Sequence, residues 1–184
     1  MKLPDKAEKK FDGIIFNVYQ WEQEMFDGSV ATFEMIKRPN TLQIIPILSN
    51  GKILIGYEEQ PTKKPGYTLL GGRQEVGEDQ EGGAKREFLE ETGMTADIWE
   101  LDKSFMPYSK MDWTIYRYIA RGCKIIQDPD HEPGEKIELK EVDWDEFIDI
   151  ATSPGFWCKG LSLDIFGMMK GGGLEEWKRK VLGE

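Results

Sequence analysis

Glu87, Glu90 and Glu91 stand at positions i, i+3 and i+4 of a segment, Glu78 to Thr92, whose pattern predicts a helix. On a helix that spacing puts the three carboxylates on one face. Like charges so placed repel one another, and the arrangement lowers stability unless a cation compensates it. Oxygen-only ligands suit a hard ion such as Mg2+ or Mn2+, which keeps water and shares substrate phosphates. Such an ion polarises a phosphoryl oxygen and lowers the pKa of bound water. Arg86 adjoins the cluster and can orient a carboxylate through charge-assisted hydrogen bonds. Upstream, Gly71-Gly72 allows the backbone to approach a ligand or metal closely. Gly82 and Gly83 fall inside the predicted helix, where each costs roughly 1 kcal/mol relative to Ala. The helix is therefore expected to start weakly and to be held by packing or by metal. A solvated acidic helix ending at a glycine cap would explain any one of these glutamates, but not the whole spacing.

The elements that must position this helix read as mixed α/β. Phe11 to Trp21 has strand character, Phe26-Asp-Gly-Ser29 is a turn, and Val30 to Lys37 is the return strand. Thr41 to Leu48 and Lys52 to Tyr57 flank Ser49-Asn-Gly51, a hairpin signal of the Asn-Gly type. Lys63 to Gly66 reads as loop and Tyr67 to Leu70 as a short strand. Gly93 is a helix-ending residue. Ala96 to Phe105, Trp113 to Ile126 and Ile137 to Val142 read as strands. Asp145 to Ala151, Leu161 to Lys170 and Leu174 to Leu182 look helical, the last set off by Gly171-Gly-Gly173.

Composition removes several alternatives. The chain has 184 residues, enough for one domain with a small appendage and a sizeable core. No apolar run is long enough to span a bilayer, and Met1 to Lys10 lacks the apolar segment of a secretory signal. A cytoplasmic location is the expectation. Cys123 and Cys158 are far apart, outside any CxxC spacing, and read as free thiols. The single histidine, His131, rules out HExxH and two-histidine chemistry and is expected to be simply solvated in its loop. The net charge of −10 repels nucleic acid and anionic membranes, so neither is an expected partner. A phosphorylated substrate would be repelled too, unless metal binds first.

The stretch from Gly72 to Met94 reads Gly, five residues, Glu, seven residues, Arg-Glu, apolar, any, Glu-Glu, any, Gly, apolar. Gly72, Glu78, Arg86, Glu87, Phe88, Glu90, Glu91, Gly93 and Met94 fill every specified position. The stretch resembles the Nudix box in full. The resemblance implies an α/β fold, the Nudix-type α/β/α sandwich with a mixed sheet, in which the box forms a loop–helix–loop. It implies hydrolysis of a nucleoside diphosphate linked to another group, with Mg2+ or Mn2+ as cofactor. Glu87 and Glu91 would be the principal metal ligands, with Glu90 close behind and a backbone carbonyl from Gly71. Glu78 and Arg86 would brace the loop.

A wider resemblance is to the ADP-ribose and sugar-nucleotide pyrophosphatase branch. It rests on the N-terminal strand pair, on Phe33-Glu-Met-Ile-Lys-Arg38, and on the strand that follows. It implies an antiparallel strand extension over residues 1–40, serving a homodimer, ahead of a hydrolase domain over 41–184. It places substrate contacts at Phe16, Trp21, Phe33, Arg38 and Arg73, with the aromatics stacking on the base. Those aromatics would equally fill a core or an interface. The polar loop Gln127 to Gly134 and the following Glu135 resemble the segment carrying the catalytic base, with Glu135 first and Glu132 second. An ordinary surface glutamate has the same signature. The chain departs from the ADP-ribose group at Tyr57-Glu-Glu-Gln-Pro61, at Thr68-Leu-Leu-Gly-Gly72 and in the position of Pro107. The expected substrate is thus a nucleotide sugar. The alternatives are a nucleoside triphosphate or dinucleoside polyphosphate, or a non-catalytic Nudix-fold regulator.

Overall fold

The computed structural model describes residues 2–131 and 134–184. Its strands are β1 Glu8–Asp12, β2 Asn17–Glu24, β3 Val30–Lys37, β4 Thr41–Ile47, β5 Ile53–Gln60, β6 Lys63–Thr68, β7 Met94–Thr95, β8 Ile98–Phe105, β9 Met111–Asp112, β10 Ile115–Arg121, β11 Lys124–Ile125 and β12 Lys136–Val142. Its helices are α1 Gln80–Thr92, α2 Trp144–Thr152, α3 Lys159–Gly171 and α4 Leu174–Leu182.

The main sheet runs β12-β5-β4-β10-β8, with β6 paired to β5. It is mixed, because β10 lies parallel to β4 while β8 and β12 pair antiparallel. Side chains alternate across β4 and β10 and so feed two cores. Leu42, Ile44, Tyr118 and Ala120 pack on Ala84 and Phe88 of α1. Ile45, Ile47 and Ile119 pack on the opposite side, against Phe147, Leu161, Ile165 and Trp177 of α2, α3 and α4. Helices therefore cover both faces, the α/β/α sandwich anticipated from the sequence. Both faces being buried explains why β4 is apolar almost throughout.

β4 and β5 pair only beside their turn, at Ile47 and Ile53. Beyond that they part, and the chain from Leu70 to Arg73 enters between them. Ile44 N donates to Leu70 O at 2.9 Å, and Leu42 N donates to Gly72 O at 2.9 Å. This wedge carries Gly71 and Gly72 into the end of the sheet. Gly71 has φ of 117°, a conformation that favours glycine.

α1 starts at Asp79, whose side chain accepts from Gly82 N at 2.6 Å, and ends at Gly93 in the left-handed conformation. The expected weakness at Gly82 and Gly83 is offset by packing at the second of them. A Cβ on Gly83 would collide with Leu42 of β4 and with the Glu78 carboxylate. Glycine here trades helix propensity for close approach to the sheet.

A second sheet, β1-β2-β3-β9, joins the three N-terminal strands to β9, which comes from between β8 and β10. Three of the strand expectations need correction. Phe11 to Trp21 is two strands, because Gly13 to Phe16 turns the chain, with Gly13 N donating to Phe16 O. Lys63 to Gly66 is part of β6 and not loop, because pairing with β5 overrides its Pro and Gly on an edge strand where no donor is required of Pro65. Trp113 to Ile126 is broken at Gly122, whose φ of 70° redirects the chain into β11.

Behind α3 and α4 lies a buried ionic cluster. Arg117 on β10 donates from Nε to Asp102 at 2.7 Å and from Nη2 to Asp164 at 2.9 Å. Asp102 also accepts from Trp177 Nε1 at 3.2 Å and Lys180 Nζ at 2.9 Å. Burial alone would raise the Asp102 carboxyl, but Arg117 and Lys180 outweigh it and hold it below the usual carboxylate range. The cluster ties β8 and β10 to α3 and α4. No helix among the described residues is long and apolar enough to cross a membrane.

Candidate active site

Two glutamates of α1 turn toward the glycine wedge. Gly71 N donates to Glu91 Oε2 at 2.6 Å. The Glu87 carboxylate lies against Gly72, where an added Cβ would fall 2.5 Å from Glu87 Oε2. Glycine at 72 is thus the condition for that carboxylate to rest on the backbone. Arg86 makes contacts on both sides of the loop that the resemblance has it brace. Its Nη2 meets Glu78 Oε1 at 2.9 Å and Arg73 O at 3.0 Å. Its Nη1 meets Glu90 Oε2 at 2.8 Å and Glu87 Oε1 at 3.1 Å. Glu90 is therefore drawn to Arg86, while Glu87 and Glu91 face Gly71 and Gly72.

Burial pushes Glu87 up to about 7; Arg86 opposes that shift, and Glu90 and Glu135 add to it. Burial also lifts Glu91 well above the usual range; the Gly71 N–H opposes, while Glu87, Glu135 and Glu58 reinforce. The hydrogen bonds of Arg86 hold Glu78 below its ordinary value. Glu58, which the sequence reading passed over, is buried on β5 near this cluster. Its signal was weak, since Glu58 stands beside a second acid, Glu59, at the polar end of β5. Glu135 stands close enough to couple electrostatically to both α1 carboxylates. Glu132 lies outside the described residues.

Among the described residues, no three His, Cys, Asp or Glu side chains form a ready-made metal cage. The donor set still fits a hard divalent ion. Mg2+ takes one or two carboxylates and keeps much of its water, and two buried carboxylates with raised pKa values are a site that favours a cation. A stability test follows from the sign of these shifts. Glu87 has an ordinary value of 4.5 and about 7 in the fold. The associated stability is full below 4.5 and lost as pH rises through about 7. In EDTA the protein is expected to melt at a lower temperature at pH 8 than at pH 5.5, and Mg2+ should restore the loss at pH 8. A Tm in EDTA that climbs over that range would contradict the assignment.

The segment after β11 closes over the C-terminal end of α1. Ile126 N and Gln127 N donate to Gly93 O at 2.8 and 3.2 Å, and Asp130 N donates to Glu90 O at 2.8 Å. His131 Nε2 lies 2.9 Å from Glu91 O. His131 is thus bound to the backbone of a site residue, where the sequence suggested a merely solvated ring.

Two clefts meet at this point. One of about 620 Å3 is lined by Glu87, Glu90, Glu91, Arg86 and His131. The other, of about 740 Å3, opens over β4 toward the start of α3. Arg38, Gln60, Gly72, Arg73 and Glu135 line both. Arg38 is held below its ordinary value first by burial and then by the charge of Arg73. Its guanidinium sits 4.5 Å from the Trp113 ring centroid and 5.7 Å from that of Phe16. Tyr108 stacks on Trp113 at 6.1 Å. Trp21, in contrast, is buried against Phe33 at 5.9 Å, within the N-terminal sheet, and neither is among the residues lining these clefts. Trp113 and Tyr108 were missed because lone aromatics, one between β9 and β10 and the other between β8 and β9, carry no motif.

Comparison with known proteins agrees with this geometry. The family model for the NUDIX domain matches residues 38–156. An ADP-ribose pyrophosphatase of Bacillus subtilis (strain 168) is 24% identical over 145 residues, which span 78% of this chain and 73% of that protein. The crystal structure of an ADP compounds hydrolase has the same fold, with a TM-score of 0.71 at 21% identity, over 91% of this chain and 93% of that one.

Proposed function

This chain belongs to the Nudix family, and from that premise we propose that it hydrolyses the diphosphate bond of a nucleotide sugar, giving a nucleoside monophosphate and a sugar phosphate. One observation carries the reading. Two guanidiniums, Arg38 and Arg73, and two carboxylates with raised pKa values, Glu87 and Glu91, line adjoining clefts that meet at Gly72. A surface that favours an anion beside one that favours a cation fits a diphosphate presented with metal. The joined clefts, about 740 and 620 Å3, leave room for a group on each side of that diphosphate.

In this reading Arg38 and Arg73 hold the phosphate oxygens, and Glu87 and Glu91 hold Mg2+ or Mn2+, with the peptide of Gly71 beside them. Bound metal supplies charge stabilisation at the phosphoryl oxygens and a more acidic water. Arg86 keeps Glu87 and Glu90 in place. Glu135 takes a proton from the attacking water. The water oxygen bonds to one phosphorus, the bridging P–O bond breaks, and the departing phosphate keeps the bridging oxygen. The names of the relatives favour an ADP-linked substrate. The exposed apolar side chains Phe11, Ile14, Phe26 and Val30 of the N-terminal region offer a surface for a second copy, so the proposal includes a homodimer.

The test is phosphate release from a panel of sugar nucleotides, nucleoside triphosphates and dinucleoside polyphosphates, with Mg2+ or Mn2+ and added phosphatase. Turnover concentrated on sugar nucleotides is expected. Turnover confined to the other two classes overturns the substrate assignment, and silence across the panel turns the reading toward a binding module.

A further inference from the structure

β4 is buried along its length, yet its third residue is a glutamine. Leu42, Ile44, Ile45 and Ile47 serve the two cores, and Gln43 alone among the buried residues of the strand brings a polar side chain inward. It is 9% exposed, and its Oε1 has no hydrogen-bond partner among the described residues. A buried acceptor left unmade is unfavourable, and such groups call for a specific explanation. Gln43 also lines the larger cleft, on the stretch of sheet that runs toward α3. Phe105, Tyr108, Trp113, Ile115 and Leu163 form the apolar wall beside it.

We propose that Gln43 is the residue that reads the nucleobase of the substrate. This rests on the sugar-nucleotide reading and adds to it the end of the cleft that takes the base. These apolar and aromatic side chains suit the faces of a flat heteroaromatic ring, and the polar groups of the same cleft, among them Gln43, suit its edge. A carboxamide offers one acceptor and one donor side by side. That pair matches a base edge carrying an amino or ring N–H next to a ring nitrogen or carbonyl. The sugar then lies on the other side of Gly72, in the smaller cleft lined by Asp130 and His131. A purely structural role is the competing account. Arg117, the cross-strand neighbour of Gln43, has a buried Nη1 that also lacks a partner, and the two could satisfy each other through a bridging water.

The experiment measures binding of AMP, GMP, CMP and UMP to wild-type protein and to Gln43→Leu by calorimetry, without metal. Kinetics follow, with nucleotide sugars that share one sugar and differ in base. Wild type is expected to prefer one monophosphate over the rest by about ten-fold or more. Gln43→Leu should bind that one about ten-fold more weakly, the others within about two-fold, with KM rising and kcat nearly unchanged. Equal weakening of all four, or no weakening, overturns the proposal, as does a wild type that binds none. If Leu at this position prevents folding, Gln43→Met keeps the length of the side chain and is read the same way. Because the binding arm needs no turnover, its result is separate from failure of the hydrolysis panel.

Discussion

Glu91→Gln lowers turnover with Mg2+ by about 10³-fold and at the same time makes the metal-free protein harder to melt. The two effects come from the same atoms. Glu91 is 8% exposed; burial raises its pKa, and the charges of Glu87, Glu135 and Glu58 add to that. Ionising it is unfavourable without a cation, so a neutral amide relieves the apo fold. The amide oxygen can still accept from Gly71 N, which keeps the wedge at the sheet end in place. What is lost is one negative charge where the ion would bind. kcat and EDTA melting curves measured on one preparation check both halves, with circular dichroism confirming the fold. A rate near wild type would end the assignment of Glu91, whatever the melting curve shows.

Asp102→Ala destabilises the protein by about 3–5 kcal/mol, the usual range when one partner of a buried ion pair is removed. Arg117 is 2% exposed and would keep only Asp164, whose side chain is 21% exposed. Trp177 Nε1 would lose its acceptor as well, while Lys180 Nζ would keep the main-chain carbonyl of residue 102 and the Glu100 carboxylate. The Asp102 carboxyl is held below its ordinary 3.8, so its contribution is full above that value and lost as pH falls through the lower folded value. Urea titration at pH 7 and at pH 3 tests this. The gap between wild type and variant should be large at pH 7 and should narrow in acid. A gap that stayed constant would show that lost packing, and not charge, is responsible.

The box was legible in the sequence because its chemistry is local: Glu87, Glu90, Glu91 and Arg86 share one helix, and helical spacing alone brings them together. The hairpin of β4 and β5 was legible for the same reason, through Asn50 and Gly51. β6 was not, since Lys63 to Gly66 has loop chemistry, and only the neighbouring strand makes it extended. The site beyond the box was harder still. Glu58, Trp113, Tyr108 and His131 each come from a different segment and become neighbours through folding. His131 shows the difficulty plainly. Nothing near it in sequence indicates that its ring meets the carbonyl of Glu91, 40 residues earlier. Gln43 did leave a trace, an amide inside an apolar run, but that trace acquires meaning only once the cleft is known.

The last turn of α1 is covered by backbone donors from residues 126–130 and by the His131 ring. The Nudix box is contiguous in sequence, but its architecture is not self-contained. A peptide or graft carrying residues 72–94 alone would keep the acidic side chains while leaving the carbonyls of Glu90, Glu91 and Gly93 uncovered, and Gly72 without the β4 amide that holds it. Transplanting this function to another scaffold therefore means moving three pieces of chain: the box, the strand beneath it and the segment that seals its end.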